Sequence, residues 1–209
     1  MAIPAFMARQ LMHPSGVLGR YVMGRFLNRT TSRHCGLVRK ELAVGPVERV
    51  LEVGFGGASL LAQLCEDASG GFVAGAEVSD EMLAAANKRL RRQIASGRLA
   101  VVRGSVDSLP FGKAEFDKAC SVNTTYFWPD LGRGLAELAR VVRPGGRLVL
   151  GYVSPEDIIR AGLDRHGFSY HSPEELDAAL SAAGFRPQAL RSGSDSRGTH
   201  FVSSAERVG

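Results

Sequence analysis

Two acidic residues stand on either side of a glycine-rich turn. Glu52 lies two residues before Gly54 in the stretch Val50–Ser59, and Glu77 lies 21 residues after Gly56. Glycines in such a turn let the backbone approach a ligand closely. A carboxylate at the mouth of the turn repels a pyrophosphate and attracts an ammonium group, and one further along can accept the hydroxyls of a ribose. The two acids therefore predict a site for adenosine with a cationic amino-acid tail; the alternative is a pair of solvated acids at strand ends.

The same turn meets the dinucleotide-binding fingerprint only in part. The pattern GxGxxG starting at Gly54 requires a glycine at position 59, where this chain has Ser59. Together with the charge of Glu52, this departure disfavours a nicotinamide dinucleotide as the ligand and a dehydrogenase as the function.

An alternation of short apolar runs and longer helical stretches must position these residues. Apolar strands separated by helices imply a parallel sheet that is covered on both faces. The sequence therefore predicts an α/β fold, with a doubly wound, mostly parallel, seven-stranded sheet and helices on both faces. Strands are predicted at 49–53, 71–78, 99–104, 116–122 and 147–153, with weaker signals at 186–191 and 199–204. Helices are predicted at 58–66, 79–94, 130–142 and from 173 to about 184.

Four motifs in this order resemble those of the class I S-adenosylmethionine-dependent methyltransferases. The turn at 51–59 is similar to the family's first motif, (D/E)xGxGxG, with Ala58 in place of the third glycine. The segment 76–83 is similar to the acidic motif after the second strand, and 104–111 is similar to the GDAxxLPF segment. The residues Arg-Pro-Gly-Gly at 143–146 are similar to the turn before the fifth strand. The resemblance covers the first five predicted strands and implies the Rossmann-like methyltransferase fold.

The resemblance also implies a cofactor and the residues that bind it. The cofactor is S-adenosyl-L-methionine, the product is S-adenosyl-L-homocysteine, and no metal is expected. Ser105 replaces the acid that usually meets the adenine amino group, so its hold on adenine is expected to be weaker. The implied cofactor-binding residues are Glu52 for the amino group, Gly54, Gly56 and Gly57 for the methionine moiety, Glu77 for the ribose, Val78, Met82, Ser105 and Val106 for the adenine, and Asn123 and Thr124 on the side facing the substrate.

An aromatic cluster follows the fourth predicted strand, in residues 123–130, here called the aromatic loop. Only 7% of the chain is aromatic, yet Tyr126, Phe127 and Trp128 are consecutive in this loop. At the carboxyl end of a strand, these three side chains are expected to line the substrate pocket. The alternative is packing between a helix and the sheet.

The position of the aromatic loop is similar to that of the NPPY motif of enzymes that methylate amide or nucleobase nitrogens. Thr124 and Thr125 replace both prolines of that motif. Outside residues 1–50 the chain has a net charge of −1, so no basic groove is expected there. Methylation of DNA is therefore disfavoured, and nucleic acid is not the expected partner.

Three side chains are candidate catalytic bases: Tyr126 in the aromatic loop, and His166 and His171 after the fifth predicted strand. Methyl transfer from a sulfonium is a direct displacement, and its main requirement is an acceptor held in line with the methyl group. A base is needed only when the acceptor keeps its proton at neutral pH. For each of the three, the alternative is a surface or packing role.

The positive charge of the chain is concentrated at its N-terminus. The net charge is +5, and residues 1–50 alone carry +6. Apolar residues from Val17 to Phe26 recur at helical spacing opposite arginines, which predicts a basic amphipathic helix. The favoured interpretation is a helical cap or lid over residues 1–44, in front of a methyltransferase domain over residues 45–209. The alternatives are contact with an anionic membrane surface and pairing of the arginines with an acidic substrate or an RNA.

These features together predict a cytoplasmic enzyme that acts on small molecules. The N-terminus lacks the apolar core of a signal peptide, and the apolar run 148–153 is too short to cross a bilayer. The three cysteines have no CxxC spacing, which indicates a reducing compartment. The region after residue 153 is too short for a separate recognition domain, so we expect a small-molecule acceptor methylated at O, N or C. The alternatives are methylation of a lipid or quinone at a membrane surface and a non-catalytic protein that binds the cofactor.

Overall fold

A seven-stranded sheet organises the residues that the computed structural model describes, 32–195 and 198–209. Its strand order is β3-β2-β1-β4-β5-β7-β6. Strand β7 runs antiparallel to both of its neighbours, and the other strands are parallel to one another. The prediction of a mostly parallel, seven-stranded sheet is therefore confirmed. The strands are β1 (Arg49–Val53), β2 (Phe72–Glu77), β3 (Leu99–Arg103), β4 (Phe116–Val122), β5 (Val142–Val153), β6 (Phe185–Asp195) and β7 (Gly198–Arg207).

Helices cover both faces of the sheet, because successive strand residues point to opposite sides. Val50 packs into one hydrophobic core with α1–α4, and Leu51 packs into a second core with α5–α7. The helices are α1 (Ser32–Leu42), α2 (Ser59–Asp67), α3 (Asp80–Arg89), α4 (Arg91–Ala95), α5 (Leu131–Val141), α6 (Pro155–Arg160) and α7 (Pro173–Ala182), with 3-10 turns at Thr125–Phe127 and Asp164–His166.

Two predicted elements differ from the observed ones. The helix predicted at 79–94 is broken at Leu90, where the chain leaves helical geometry and buries the leucine side chain to 3% exposure. Strand β5 begins at Val142 rather than at 147, because Val142 already pairs with Phe116. The intervening residues 143–146 form an irregularity in the strand, since the next pair joins Arg147 to Lys118.

Helix α1 lies within the predicted N-terminal cap and packs against β4, β5 and β7. Its buried residues include Val38 and Leu42, and the imidazole Nε2 of His34 lies 2.9 Å from the carbonyl oxygen of Phe201. The amphipathic helix predicted between Val17 and Phe26 lies outside the described residues. Among the helices that are described, none combines the length and the apolar character that a membrane crossing requires.

The carboxyl ends of β1 and β4 meet at the glycine turn. Because the two strands are parallel neighbours, the chain segments that follow them lie side by side. Gly54 has a φ of 72° and donates its N–H to the carbonyl of Ala76 at 2.8 Å. A Cβ atom at Gly54 would lie 2.5 Å from Cγ2 of Thr124. The turn therefore excludes any side chain at this position for two independent reasons, backbone conformation and lack of space.

We expect Gly54→Ala to lower the free energy of unfolding by about 2–5 kcal/mol, because a left-handed penalty of about 1–2 kcal/mol adds to an overpacking cost of about 1–3 kcal/mol. Gly97→Ala is the matched control. Gly97 has a φ of 74°, and no described heavy atom outside its own neighbourhood would lie within 4 Å of its Cβ. The control should lose only the left-handed penalty. Urea denaturation of both variants provides the comparison.

Adding Thr124→Ser to Gly54→Ala removes the methyl group that the new Cβ would meet. The double variant should recover the packing part of the loss and keep the backbone part. Equal destabilisation by Gly54→Ala and Gly97→Ala would contradict the steric constraint.

Candidate functional site

A buried acid without a hydrogen-bond partner lies at the end of β1. Leu51 and Val53 point into the core under α5–α7, so Glu52 between them points to the opposite face. The Glu52 side chain is 3% exposed, and its Oε2 has no hydrogen-bond partner among the described residues. Buried polar atoms are nearly always paired, so this oxygen is the first indication of a ligand position.

Burial raises the pKa of Glu52 well above its ordinary value, and the negative charge of Glu77 raises it further. The carboxyl therefore keeps its proton to a higher pH than an exposed glutamate does. A cation placed beside Glu52 would reverse this effect, because an opposite charge favours the ionised form.

The second acid, Glu77, holds the glycine turn in place. One carboxylate oxygen accepts the N–H of Gly56 at 3.0 Å, and the other accepts those of Val78 at 2.8 Å and Ser79 at 3.1 Å. A carboxylate offers about four lone-pair positions, so roughly one stays open to a ligand. Glu77 thus both shapes the turn and presents an acceptor beside it.

An arginine that the sequence analysis missed also fixes the turn. Arg89, at the end of α3, donates a guanidinium N–H to the carbonyl oxygen of Gly57 at 2.8 Å. The next residue, Ala58, has a φ of 56° and stands just before α2. Arg89 lies in a run of exposed basic residues, and no sequence signal separates it from its neighbours.

The residues predicted near the adenine lie after β2 and β3. Val78 is 43% exposed, whereas Met82 and Val106 are buried, in the α1–α4 core and the α5–α7 core respectively. The carbonyl of Ser105 accepts the N–H of Ser108 at 3.0 Å, and the nearby Ser105 side chain lowers the pKa of the Asp107 carboxyl. Ser105 is thus engaged with its own loop.

An ion pair on α5 supports the segment that carries Ser105. The Glu137 carboxylate accepts the N–H of Leu109 at 2.8 Å and pairs with Arg140 at 2.7 Å. Arg140 also donates to the carbonyl oxygens of Leu109 at 3.0 Å and Phe111 at 2.8 Å. The sequence analysis missed this support, although the acid and base lie at i,i+3 spacing on a predicted helix.

The tyrosine of the aromatic loop is used to hold the loop together. Its hydroxyl donates to Oδ1 of Asn123 at 3.1 Å and accepts the N–H of Val153 at 2.5 Å. Tyr126 is buried, and burial raises its pKa above the ordinary value. Both hydrogen-bond roles of the hydroxyl are therefore occupied by the protein itself. A role for Tyr126 as a base stays a prediction.

Another aromatic residue joins the loop from outside it. Phe127 and Phe168 meet edge to face with ring centroids 4.8 Å apart, and Tyr126 stacks on Phe168 at 6.4 Å. The N–H of Ser169 donates to the carbonyl of Tyr126 at 3.0 Å. No sequence signal assigned Phe168 to the site, because Phe168 lies 41 positions after Phe127 and only the fold brings the two rings together.

The other predicted residues near the acceptor occupy different environments. Trp128 is buried, and its indole N–H donates to the hydroxyl of Thr124 at 3.1 Å. His166 ends the 3-10 turn after α6 and His171 precedes α7, and both side chains are half-buried. Neither histidine is brought to the glycine turn by an observed contact.

The raised pKa of Glu52 predicts a pH-dependent cost to stability. A raised folded-state pKa means that the carboxyl's contribution to stability is complete below the unfolded-state pKa and is lost as pH rises through the folded-state pKa. We therefore expect Glu52→Gln to be more stable than the wild type, with an advantage that grows by more than about 1 kcal/mol between pH 5 and pH 8.

Urea denaturation across this pH range measures the effect. Glu66→Gln is the control, because the Glu66 side chain on α2 is 73% exposed. A constant difference between Glu52→Gln and the wild type would show that burial does not perturb this carboxyl.

A family comparison matches the region that contains this site. Residues 51–150 match the family described as "Methyltransferase domain". The match begins in β1 and ends in β5. It includes both acids, the glycine turn and the aromatic loop.

Sequence similarity to individual methyltransferases agrees with the match to this domain family. The chain is 26% identical over 137 residues to an uncharacterized methyltransferase, YdaC, of Bacillus subtilis (strain 168), covering 64% of this chain and 70% of that protein. It is 27% identical over 191 residues to the 27-O-demethylrifamycin SV methyltransferase of Amycolatopsis mediterranei (strain S699), covering 86% and 67%. It spans only 43%, 52% and 42% of the lengths of three other curated methyltransferases.

A solved structure shares the fold. An S-adenosylmethionine-dependent methyltransferase from Aquifex aeolicus superposes with a TM-score of 0.72 at 18% identity, covering 99% of this chain and 100% of that chain. Residues 51–150 match a methyltransferase domain, in agreement with the predicted resemblance to the class I S-adenosylmethionine-dependent methyltransferases.

Proposed function

We propose that this protein transfers a methyl group from S-adenosyl-L-methionine to a small-molecule acceptor. The observation that carries the proposal is the carboxyl of Glu52, which is buried at the glycine turn with an unpaired oxygen. Burying such a group costs stability unless a partner satisfies it. The ammonium group of a methionine moiety is a partner of the right charge.

The residues present fit this cofactor. When bound, S-adenosylmethionine supplies a methyl group on a sulfonium, which an acceptor can take by direct in-line displacement. Glu52 would bind the ammonium, and the open position on Glu77 would accept from the ribose. Val78, Met82, Ser105 and Val106 would flank the adenine, and Gly54, Gly56 and Gly57 would allow the close approach of the methionine moiety.

Binding a ribose would require further acceptor positions on the Glu77 carboxylate. Three backbone N–H groups already use this carboxylate, and a vicinal diol offers two further donors. Since only about one lone-pair position is open, a diol that uses both of its hydroxyls must displace one of the three. We propose that the Gly56 N–H is the one displaced, because the other two lie in the same short stretch of chain as Glu77.

The aromatic loop supports an apolar or planar acceptor. Tyr126, Phe127 and Phe168 form a packed cluster after β4, and aromatic rings bind such molecules through large apolar surfaces. The relative from Amycolatopsis is named for methylation of a complex small molecule, which is consistent with this class. Direct displacement requires mainly that the acceptor be held in line with the methyl group. The hydroxyl of Tyr126 is already used in the hydrogen bonds that hold the loop.

Calorimetry tests the ligand class. The wild type should bind S-adenosylhomocysteine and S-adenosylmethionine and should not bind NAD. Methyl transfer from labelled S-adenosylmethionine to a panel of phenols, carboxylic acids, amines and prenyl-type lipids then tests the activity. Tight binding of NAD without binding of S-adenosylhomocysteine would refute the proposal. Binding without transfer to any member would favour a non-catalytic binder.

Removal of the Glu77 carboxylate should weaken the binding of S-adenosylhomocysteine. We expect Glu77→Ala to cost about 2 kcal/mol, roughly thirty-fold in Kd, because both the ribose acceptor and the anchor of the glycine turn are lost. Asp80→Asn is the control, since Asp80 is an exposed acid three residues away that pairs with Arg103. Its Kd should change by less than about threefold. Equal effects of the two variants would indicate that the ribose is held elsewhere.

A further inference from the structure

We propose that Thr124 is a positioning residue that couples the glycine turn to the aromatic loop through a chain of hydrogen bonds. The chain joins four groups. It starts at the indole of Trp128, passes through the hydroxyls of Thr124 and Ser121, and ends at the carbonyl oxygen of Val53. This inference rests on the proposed function, since it assigns a role beside the proposed cofactor site.

The direction of every bond in this chain is fixed by chemistry. The indole N–H of Trp128 can only donate, and the carbonyl of Val53 can only accept. Trp128 donates to Thr124 at 3.1 Å, and Ser121 donates to Val53 at 2.6 Å. Because the single hydroxyl proton of Ser121 is used there, the bond between the two hydroxyls must run from Thr124 to Ser121. Each hydroxyl therefore donates once and accepts once.

Thr124 also touches the turn through its methyl group. A Cβ at Gly54 would lie 2.5 Å from Cγ2 of Thr124, so the methyl group occupies the space that this glycine leaves. Val53 is the residue directly before Gly54. One side chain thus meets this part of the chain in two ways: its methyl group lies against Gly54, and its hydroxyl is linked to Val53 through Ser121.

The far end of the chain is held as firmly. Trp128 is 7% exposed, and a Cβ at Gly134 of α5 would lie 2.8 Å from its ring. The indole therefore has little freedom to find another partner. A displacement of the turn must either move the indole or break the hydrogen-bond chain.

Ribose binding at Glu77 is the event that would displace the turn. If a ribose takes the position of the Gly56 N–H, the turn loses one of its anchors and moves. The chain then transmits the movement through Val53, Ser121 and Thr124 to Trp128. Occupation of the cofactor site would in this way adjust the loop against which the acceptor packs.

The chain has a single tryptophan, so its fluorescence reports on this indole alone. Emission from indole depends on hydrogen bonding of its N–H. We expect S-adenosylhomocysteine to shift the emission maximum of the wild type. Thr124→Val keeps the shape and the methyl group but removes the hydroxyl, so binding of S-adenosylhomocysteine to this variant, followed by calorimetry, should cause no shift.

Three further variants separate coupling from structural damage. Thr124→Ser keeps the hydroxyl and should restore the shift. Thr125→Val is the matched control, because Thr125 is a buried threonine in the same loop and is not part of the chain; it should retain both binding and the shift. Ser121→Ala breaks the chain at its middle while leaving the Trp128–Thr124 bond, and it serves if Thr124→Val does not fold. Because Ser121 is not among the predicted cofactor-binding residues, Ser121→Ala should bind S-adenosylhomocysteine within about tenfold of the wild type by calorimetry and show no shift.

The outcomes distinguish this proposal from the proposed function. If the wild type does not bind S-adenosylhomocysteine by calorimetry, the proposed function fails and the coupling fails with it. If the wild type binds but its emission is unchanged, only the coupling is overturned. If a folded Thr124→Val or Ser121→Ala variant shows the same ligand-induced emission shift as the wild type, the coupling is overturned as well.

Discussion

The hydrogen bonds accepted by the carboxylate of Glu77 are the interactions on which the rest of the site depends. It accepts N–H groups from the turn after β1 and from the chain after β2, so one side chain joins two consecutive crossovers of the sheet. Parallel strands place their carboxyl ends at one edge, and this geometry brings Glu77 within reach of Gly56. Without that bond, the glycine turn would depend mainly on Arg89 and on its own backbone contacts.

The same edge of the sheet carries an unfavourable group, a buried carboxyl with one oxygen that no described residue pairs. Glu52 is buried beside Glu77, and both burial and the neighbouring charge raise its pKa. Natural folds tolerate such groups where function requires them. The cores on the two faces of the sheet offset the cost, since each is closed by several helices. The two hydrophobic cores therefore compensate for the cost of burying the Glu52 carboxyl.

Hydrogen bonds within the protein hold the aromatic loop in place. Tyr126 and Trp128 each use their polar atoms within the protein, which leaves their ring surfaces as the groups available for packing. Phe168 closes the cluster from the segment after β5. The packing interpretation of the aromatic loop thus applies to Tyr126 and Trp128, which are buried, and a role of the partly buried Phe127 in the substrate pocket stays a prediction.

The sequence by itself determined the fold class, the resemblance to a methyltransferase family and the order of the motifs. The periodicity of the strands and the spacing of Glu52, the glycines and Glu77 are local properties. They can therefore be recognised in the sequence without knowledge of the fold. The tertiary structure alone decided which groups meet. Arg89 contacts Gly57, 32 positions earlier in the chain, and Phe168 contacts Phe127, 41 positions earlier. It also decided protonation, because the pKa of Glu52 depends on how deeply the fold buries it and on the charge beside it, and neither is written in the order of residues.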